Sequence, residues 1–252
     1  MSPMVQAQPS PPRAPQRPFD YRHSTSDNEP DPLLLTEFHD EFDNLLRICV
    51  VKQHTQRRRT SALIERRYAW RGYCAAPLPA SAEGKITLSA HVDDSTVATI
   101  TAGLDVREGL YVSGVYPDAV ARLRAEGRKL CEFTKLAVDE SMRSPSILGA
   151  IFHVACMYAI QIHRCTDVLI EVNPRHVRFY ERMLGFTQAA EERLDPEVNA
   201  PAVLLRLDLG HCAREIDRLG GRQQHGRSER SFYSHFFSPQ KAAEVFDRLR
   251  LH

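Results

Sequence analysis

The run Leu130–Val138, LCEFTKLAV, sets a single carboxylate in the middle of an apolar stretch. An acid flanked by leucine, cysteine and phenylalanine loses water, and lost hydration raises a carboxyl pKa toward that of a useful general base. In an extended chain Glu132 shares a side with Leu130, Thr134, Leu136 and Val138, while Lys135 falls on the other side with Cys131, Phe133 and Ala137. Lys135 is therefore poorly placed to neutralise Glu132, which favours proton transfer over a structural ion pair. The loop that follows, DESMRSPS, leads into a long apolar helix. The free N–H groups of a helix N-terminus attract anions, and Arg143, Ser144 and Ser146 suit a phosphate. A plain N-cap role for Ser144 or Ser146 explains much of the same sequence. In the third stretch, EVNPRHVRFYERMLGF, the amide of Asn173 stands at a strand end and can hold an extended ligand backbone. Tyr180 can hand a proton to a leaving thiolate, and His176 lies four residues before it on the same helix face. A tyrosine at this spacing also serves as core.

These groups need elements to position them. Short β-branched or alternating runs predict strands over Arg47–Gln53, Lys85–His91, Thr96–Leu104, Leu130–Val138 and Asp167–Val172. A last pair follows from Phe186 onward and over Ala202–Leu209. The turn signal Asp93-Asp94-Ser95 makes a hairpin of the second and third strands. Helical spacing predicts helices over Thr55–Tyr68, Pro117–Glu126 (stopped by Gly127), Ser146–His163 and Arg175–Leu184. Helices interleaved with strands imply an α/β fold with a mixed sheet covered on both faces. Residues 1–32, rich in Pro, Ser and Gln, read as a disordered tail, with order beginning near Pro32. Residues 33–210 form the main domain. Residues 211–252 carry a connector (Gly220–Arg230), an aromatic docking cluster (Phe232–Phe237) and a helix over Pro239–Leu251.

With 252 residues, 42% of them hydrophobic, the chain can bury one sizeable core or two small ones. A net charge of +1 gives no global field for nucleic acid. Locally, Arg57, Arg58, Arg59, Arg66, Arg67 and Arg71 are opposed only by Glu65, either as a solvated helix face or as a docking patch for an acidic partner. The six cysteines form no CxxC pair and fit buried reduced thiols better than disulfides or a zinc site. No apolar stretch follows a basic start at the N-terminus, and the run Ser146–Ile162 is short for a membrane span and contains His153. A cytoplasmic protein is expected.

The segments CEFTKLAV and NPRHVRFYERMLGF, with the loop and long helix between them, resemble the core of the GNAT acyltransferase superfamily over roughly residues 47 to 209. LRAEGRKLCEFTKLAVDE, VNAPAVLLRLDL and SFYSHFFSP narrow the resemblance to the branch of long-chain N-acyl amino acid synthases, related to the acyl-homoserine-lactone synthases. The resemblance implies a GNAT-like mixed sheet with two central strands splayed, and transfer of an acyl group from a thioester to an amine. It implies a pantetheine arm paired with the backbone of Leu136, Ala137 and Val138, its phosphate held by the loop around Arg143, Ser144 and Ser146. Glu132 is then the general base. Asn173 and Tyr180 lie near the thioester sulfur, and His176 is counted with the donor-binding residues. The loop RSPSILGA lacks the glycine-rich pyrophosphate signature of coenzyme A users, its glycine falling inside the helix. That points to the acyl-phosphopantetheine of acyl carrier protein as co-substrate, with coenzyme A as the alternative and no tightly bound cofactor or metal. Carrier proteins are acidic, which gives the arginine cluster a partner. The other readings are an acyl-coenzyme A-dependent N-acetyltransferase of a protein or small amine, and a non-catalytic acyl- or partner-binding member.

Overall fold

Five successive strands pair antiparallel, each with the next: short turns join the first to the second and the third to the fourth, and longer segments that carry helices make the other two connections. They are β1 (Leu33–His39), β2 (Leu45–Val50), β3 (Lys85–Val92), β4 (Ser95–Leu104) and β5 (Leu130–Val138). The computed structural model describes residues 33–69, 78, 83–142, 144–222 and 231–252. In the β1–β2 turn the Asp40 carboxylate accepts the N–H groups of Phe42 and Asn44, each at 2.9 Å. Asp93 turns the expected hairpin with φ +49°. Next come β6 (Asp167–Val172), β7 (Thr187–Gln188), β8 (Arg193–Asp195) and β9 (Ala200–Asp208). The order across the sheet is β1-β2-β3-β4-β5-β6-β9-β7, with β8 also on β9. Among the described strands β5 and β6 run parallel and all other neighbours are antiparallel.

Helices cover both faces. On one face lie α1 (His54–Ala69), whose Leu63 and Ile64 pack on Ala137, and α2 (Pro117–Ala125), whose Ala119, Val120 and Leu123 pack with Leu130, Leu169 and Leu204. On the other lie α3 (Pro145–Met157), α4 (Val177–Leu184), α5 (Leu209–Leu219) and α6 (Pro239–Leu249), around the larger core. α3 is its centre, buried along nearly its whole length. The apolar segment Pro145–Ile162 has the length and composition of a membrane span, yet 72% of it is buried inside this core. Asp167, fully buried, anchors one end of β6 through Arg128 at 2.5 Å and Arg206 at 2.6 Å.

Several boundaries differ from expectation. β1 adds a strand ahead of the first one expected. The helix read as Ser146–His163 is α-helical to Met157 and then widens into a π turn, Tyr158–Ile162. Leu209, expected to end the last strand, opens α5, and Asp208 caps that helix by accepting the His211 N–H at 2.8 Å. The C-terminal segment shares the main core: Phe232, Tyr233, Phe236, Phe237, Val245 and Leu249 are buried in it. The tail 1–32, Arg71, Cys74, Arg143 and residues 223–230 of the connector lie outside the described residues.

The expected alternation along β5 breaks at one residue. Lys135 has φ +53°, and the pairing with β4 slips between Thr99 and Thr101, so a bulge sits there. One extra residue reverses the facing of everything beyond it. Leu136 and Val138 therefore join Cys131 and Phe133 against the α3 core, and Ala137 turns to α1.

Candidate active site

The two central strands part company almost at once. β5 and β6 pair at Leu130↔Asp167, Cys131↔Val168 and Glu132↔Leu169, and their register goes no further. Beyond Glu132 the strand follows β4 through the bulge, while β6 stays on β9 as far as Val172↔Val203. The edge of β5 from Phe133 to Val138 has no β6 partner in this register, and Leu136, Ala137 and Val138 stand on that open half.

Glu132 is the last paired residue before the opening and is only 2% exposed. The Val112 N–H donates to its Oε2 at 3.1 Å. Burial pushes its carboxyl upward. The N–H groups of Tyr111 and Val112 and the charge of Lys85 pull it partly back. A carboxyl balanced this way has little water to compete for an incoming proton, as a general base requires. Room for it comes from Gly103, directly opposite on β4: a Cβ there would lie 3.3 Å from both Glu132 Cγ and Oε1. Glu132 has no ion pair within 4.0 Å among the described residues, so the structural salt bridge is not made.

A second acid, which sequence reasoning passed over, lies on the same side of the sheet two residues beyond Leu169. Glu171 is pushed up to about 8, first by burial, then by the hydrogen bond and charge of Asp195, with Glu132 and Glu197 adding repulsion. Its Oε2 is buried and has no hydrogen-bond partner among the described residues. Asp195, 2% exposed, accepts the Tyr111 hydroxyl at 3.5 Å. The signal was available: an acid inside the apolar strand DVLIEV is the same pattern that singled out Glu132.

The remaining candidates stand after β6, on α4 and at the start of α3. Asn173 caps the short turn Pro174–His176 ahead of α4: its Oδ1 accepts the Arg175 N–H at 3.3 Å, and its Nδ2 donates to Pro201 O at 3.4 Å. His176 Nε2 accepts from Arg175 Nε at 3.2 Å. Tyr180 is half-buried on α4, its ring edge-on to Phe179 at 5.3 Å and Phe186 at 5.8 Å. At the start of α3 the Ser144 hydroxyl donates to Glu41 at 2.9 Å, and the Ser146 hydroxyl pairs with His235 Nδ1 at 3.4 Å. Both side chains are buried, and neither caps the helix. An anion at this end would meet main-chain N–H groups rather than these hydroxyls.

The α1 arginines divide. Arg66 pairs with Asp139 at 2.6 Å and Arg67 with Glu140, tying the helix to the loop after β5. Arg57 donates to Lys52 O at 2.5 Å. Arg58 and Arg59 are exposed and have no carboxylate partner among the described residues.

Comparison with known proteins bears on this geometry. The family model for the N-acyl amino acid synthase FeeM matches residues 59–208. The solved structure of FeeM, from uncultured soil microbes, superposes with a TM-score of 0.61 at 24% identity, covering 68% of this chain and 95% of that one. An acyl-CoA N-acyltransferase from Pseudomonas aeruginosa gives a TM-score of 0.46 at 14% identity over 64% of this chain and 98% of its own. The CoA-dependent acyl-homoserine lactone synthase MesI gives 0.44 at 17% identity over 65% and 89%. No curated protein matches. The FeeM superposition has the fold expected of a GNAT acyltransferase, and the family match spans α1 through β9, including both splayed strands. The chain belongs to the FeeM N-acyl amino acid synthase family and is an acyltransferase.

Proposed function

We propose that the protein transfers a fatty acyl group from the thioester of acyl carrier protein to the amine of an amino acid or similar small amine, with Glu132 as general base. The observation that carries this reading is the buried Glu132 at the point where β5 and β6 separate. The pantetheine arm lies in that opening against the free edge at Leu136, Ala137 and Val138, reaching the thioester to Glu132. Its phosphate takes the N-terminal N–H groups of α3. Asn173 and His176 border the arm from the β6 side.

The acceptor arrives as an ammonium and gives one proton to Glu132. The neutral nitrogen attacks the thioester carbonyl, forming a C–N bond and an oxyanion that a strand N–H stabilises. The oxyanion collapses, the C–S bond breaks, and the thiolate takes a proton from Tyr180. The products are an amide and the free pantetheine thiol. The second proton of the tetrahedral nitrogen leaves to solvent, and Glu132 passes its own proton to the Tyr180 phenolate, so both groups are reset with one proton released overall.

The missing coenzyme A loop signature and the exposed Arg58 and Arg59 on α1 favour the carrier protein as donor. Exposed pairs contribute ~0–1 kcal/mol each, so this patch acts chiefly on encounter rate. The protein acts in the cytoplasm, where acylated carriers are made.

Glu132→Gln tests the assignment. Turnover of a dodecanoyl carrier protein with an amino-acid acceptor should fall ~10²–10⁴-fold, with the urea midpoint close to wild type. Wild-type turnover in a folded variant refutes the general base. Efficient turnover with dodecanoyl-coenzyme A but none with the carrier would move the donor to coenzyme A.

A further inference from the structure

Three residues stand in one row across three strands. Lys85 on β3 is the register partner of Gly103 on β4, and Gly103 is the partner of Glu132 on β5. Cross-strand partners point to the same side of a sheet, so Lys85 and Glu132 reach over the same glycine. A Cβ at Gly103 would lie 3.3 Å from Glu132 Oε1 and 3.7 Å from Lys85 Cε. The two charged ends nevertheless form no ion pair within 4.0 Å, and Lys85 acts on Glu132 only through its field. Lys85 is exposed, and a second lysine, the half-buried Lys135 of the bulge, feels its charge. On the other side of Glu132 stand Glu171 and Asp195. Charge thus runs from positive at β3 to negative at Asp195 on β8, with the general base and the protonated Glu171 between.

We infer that Lys85 is a specificity-determining residue that holds an acid group on the acceptor while the acceptor amine faces Glu132. This deepens the acyltransferase reading and rests on it. An ammonium group sits well beside Glu132 and Asp195, with Glu171 as an uncharged neighbour, and a carboxylate a few atoms away meets Lys85 across the bare surface of Gly103. An amine without an acid group leaves Lys85 unused. A polyamine brings a second positive charge against it.

The test uses the full chain, a dodecanoyl carrier protein, and leucine, phenylalanine and serine, each beside its decarboxylated amine. For the best amino acid, Lys85→Gln should raise KM about tenfold, the effect of losing one hydrogen bond to a charged group. The KM of the matching amine should move less than twofold, and any change in kcat from the lost field on Glu132 should be the same for both acceptors. Lys85→Arg should restore the amino-acid KM, and Lys85→Glu should reverse the preference. Equal KM changes for both acceptors, or none, overturn the assignment. If the wild type makes no amide from any pair, the acyltransferase reading fails instead. Titration calorimetry with N-dodecanoyl-leucine and N-dodecanoyl-isopentylamine then decides on Lys85 separately. About tenfold tighter binding of the acid, lost in Lys85→Gln, supports it; equal affinities overturn it.

Discussion

Adding one methyl group at Gly103 should separate stability from activity. Gly103 lies within β4 without a positive φ, so alanine meets no backbone strain there. Replacing glycine inside a strand is worth ~0.5–1 kcal/mol in favour of alanine. Against that, the new Cβ would lie 3.3 Å from Glu132 Cγ and Oε1, closer than the ~3.5–4.0 Å at which carbon atoms rest. The carboxyl must give way by a few tenths of an ångström, and the Val112 N–H holds it from the far side. A displacement of ~1 Å at a reacting centre costs ~10²-fold, so a few tenths should cost ~3–10-fold. Gly103→Ala is therefore expected to keep its urea midpoint within ~1 kcal/mol of wild type while kcat falls ~3–10-fold. Equilibrium denaturation and steady-state kinetics on the same preparation read both. Full kcat at wild-type stability would show that the space over Gly103 does not place the Glu132 carboxyl, and the positional argument for the base would go with it.

Two further outcomes follow from other parts of the molecule. Glu171 is raised from 4.5 to about 8 in the folded chain, so between those values the native state holds a proton that the unfolded state has lost. Its contribution is fully present below the unfolded pKa and lost as pH rises through the folded one. Glu171→Gln should accordingly flatten the fall in Tm between pH 5 and pH 8.5, and a wild type that gains stability through Glu171 on rising pH contradicts this. Gly149→Ala would set a Cβ 2.6 Å from His235 Cβ and 2.9 Å from the His235 carbonyl oxygen. Overpacking of this kind costs ~1–3 kcal/mol, visible as a lower urea midpoint. An unchanged midpoint means the Phe232–His235 turn can lift off α3.

The central strands and helices were legible because their signals are local. β5, β6 and α3 each announce themselves by an apolar run between polar turns, and Glu132 stood out as an acid inside such a run. α5 was hidden by a competing pattern. Its first residue, Leu209, completes the alternation of AVLLRLDL, yet Leu209, Cys212, Ile216 and Leu219 also share one helix face, and the Asp208 cap decides for the helix. The bulge at Lys135 left no trace either, since a lysine with positive φ is imposed by the pairing of β4 with β5 and not by its own preference. For the same reason the facing of Leu136 and Val138 came out reversed. Within the site, residues on one strand could be ranked from the sequence. The row Lys85–Gly103–Glu132 required a register that joins positions 85, 103 and 132, and no pattern in a single chain supplies it. The serines at the start of α3 fit a capping or anion-binding motif by type, but Glu41 and His235, distant in sequence, claim their hydroxyls.

The first strand and the last helix close on each other. Phe38 meets Phe237 edge-on at 5.4 Å, and Arg248 donates to the Leu35 carbonyl at 3.2 Å. During synthesis, then, β1 emerges early and waits for more than 200 residues before its covering partners leave the ribosome. Until Phe236 and Leu249 arrive, the apolar flank of α3 stays open to solvent and to other nascent chains. Production yield should thus depend on chaperone supply and on slow translation of the final segment more than on the equilibrium stability of the finished enzyme.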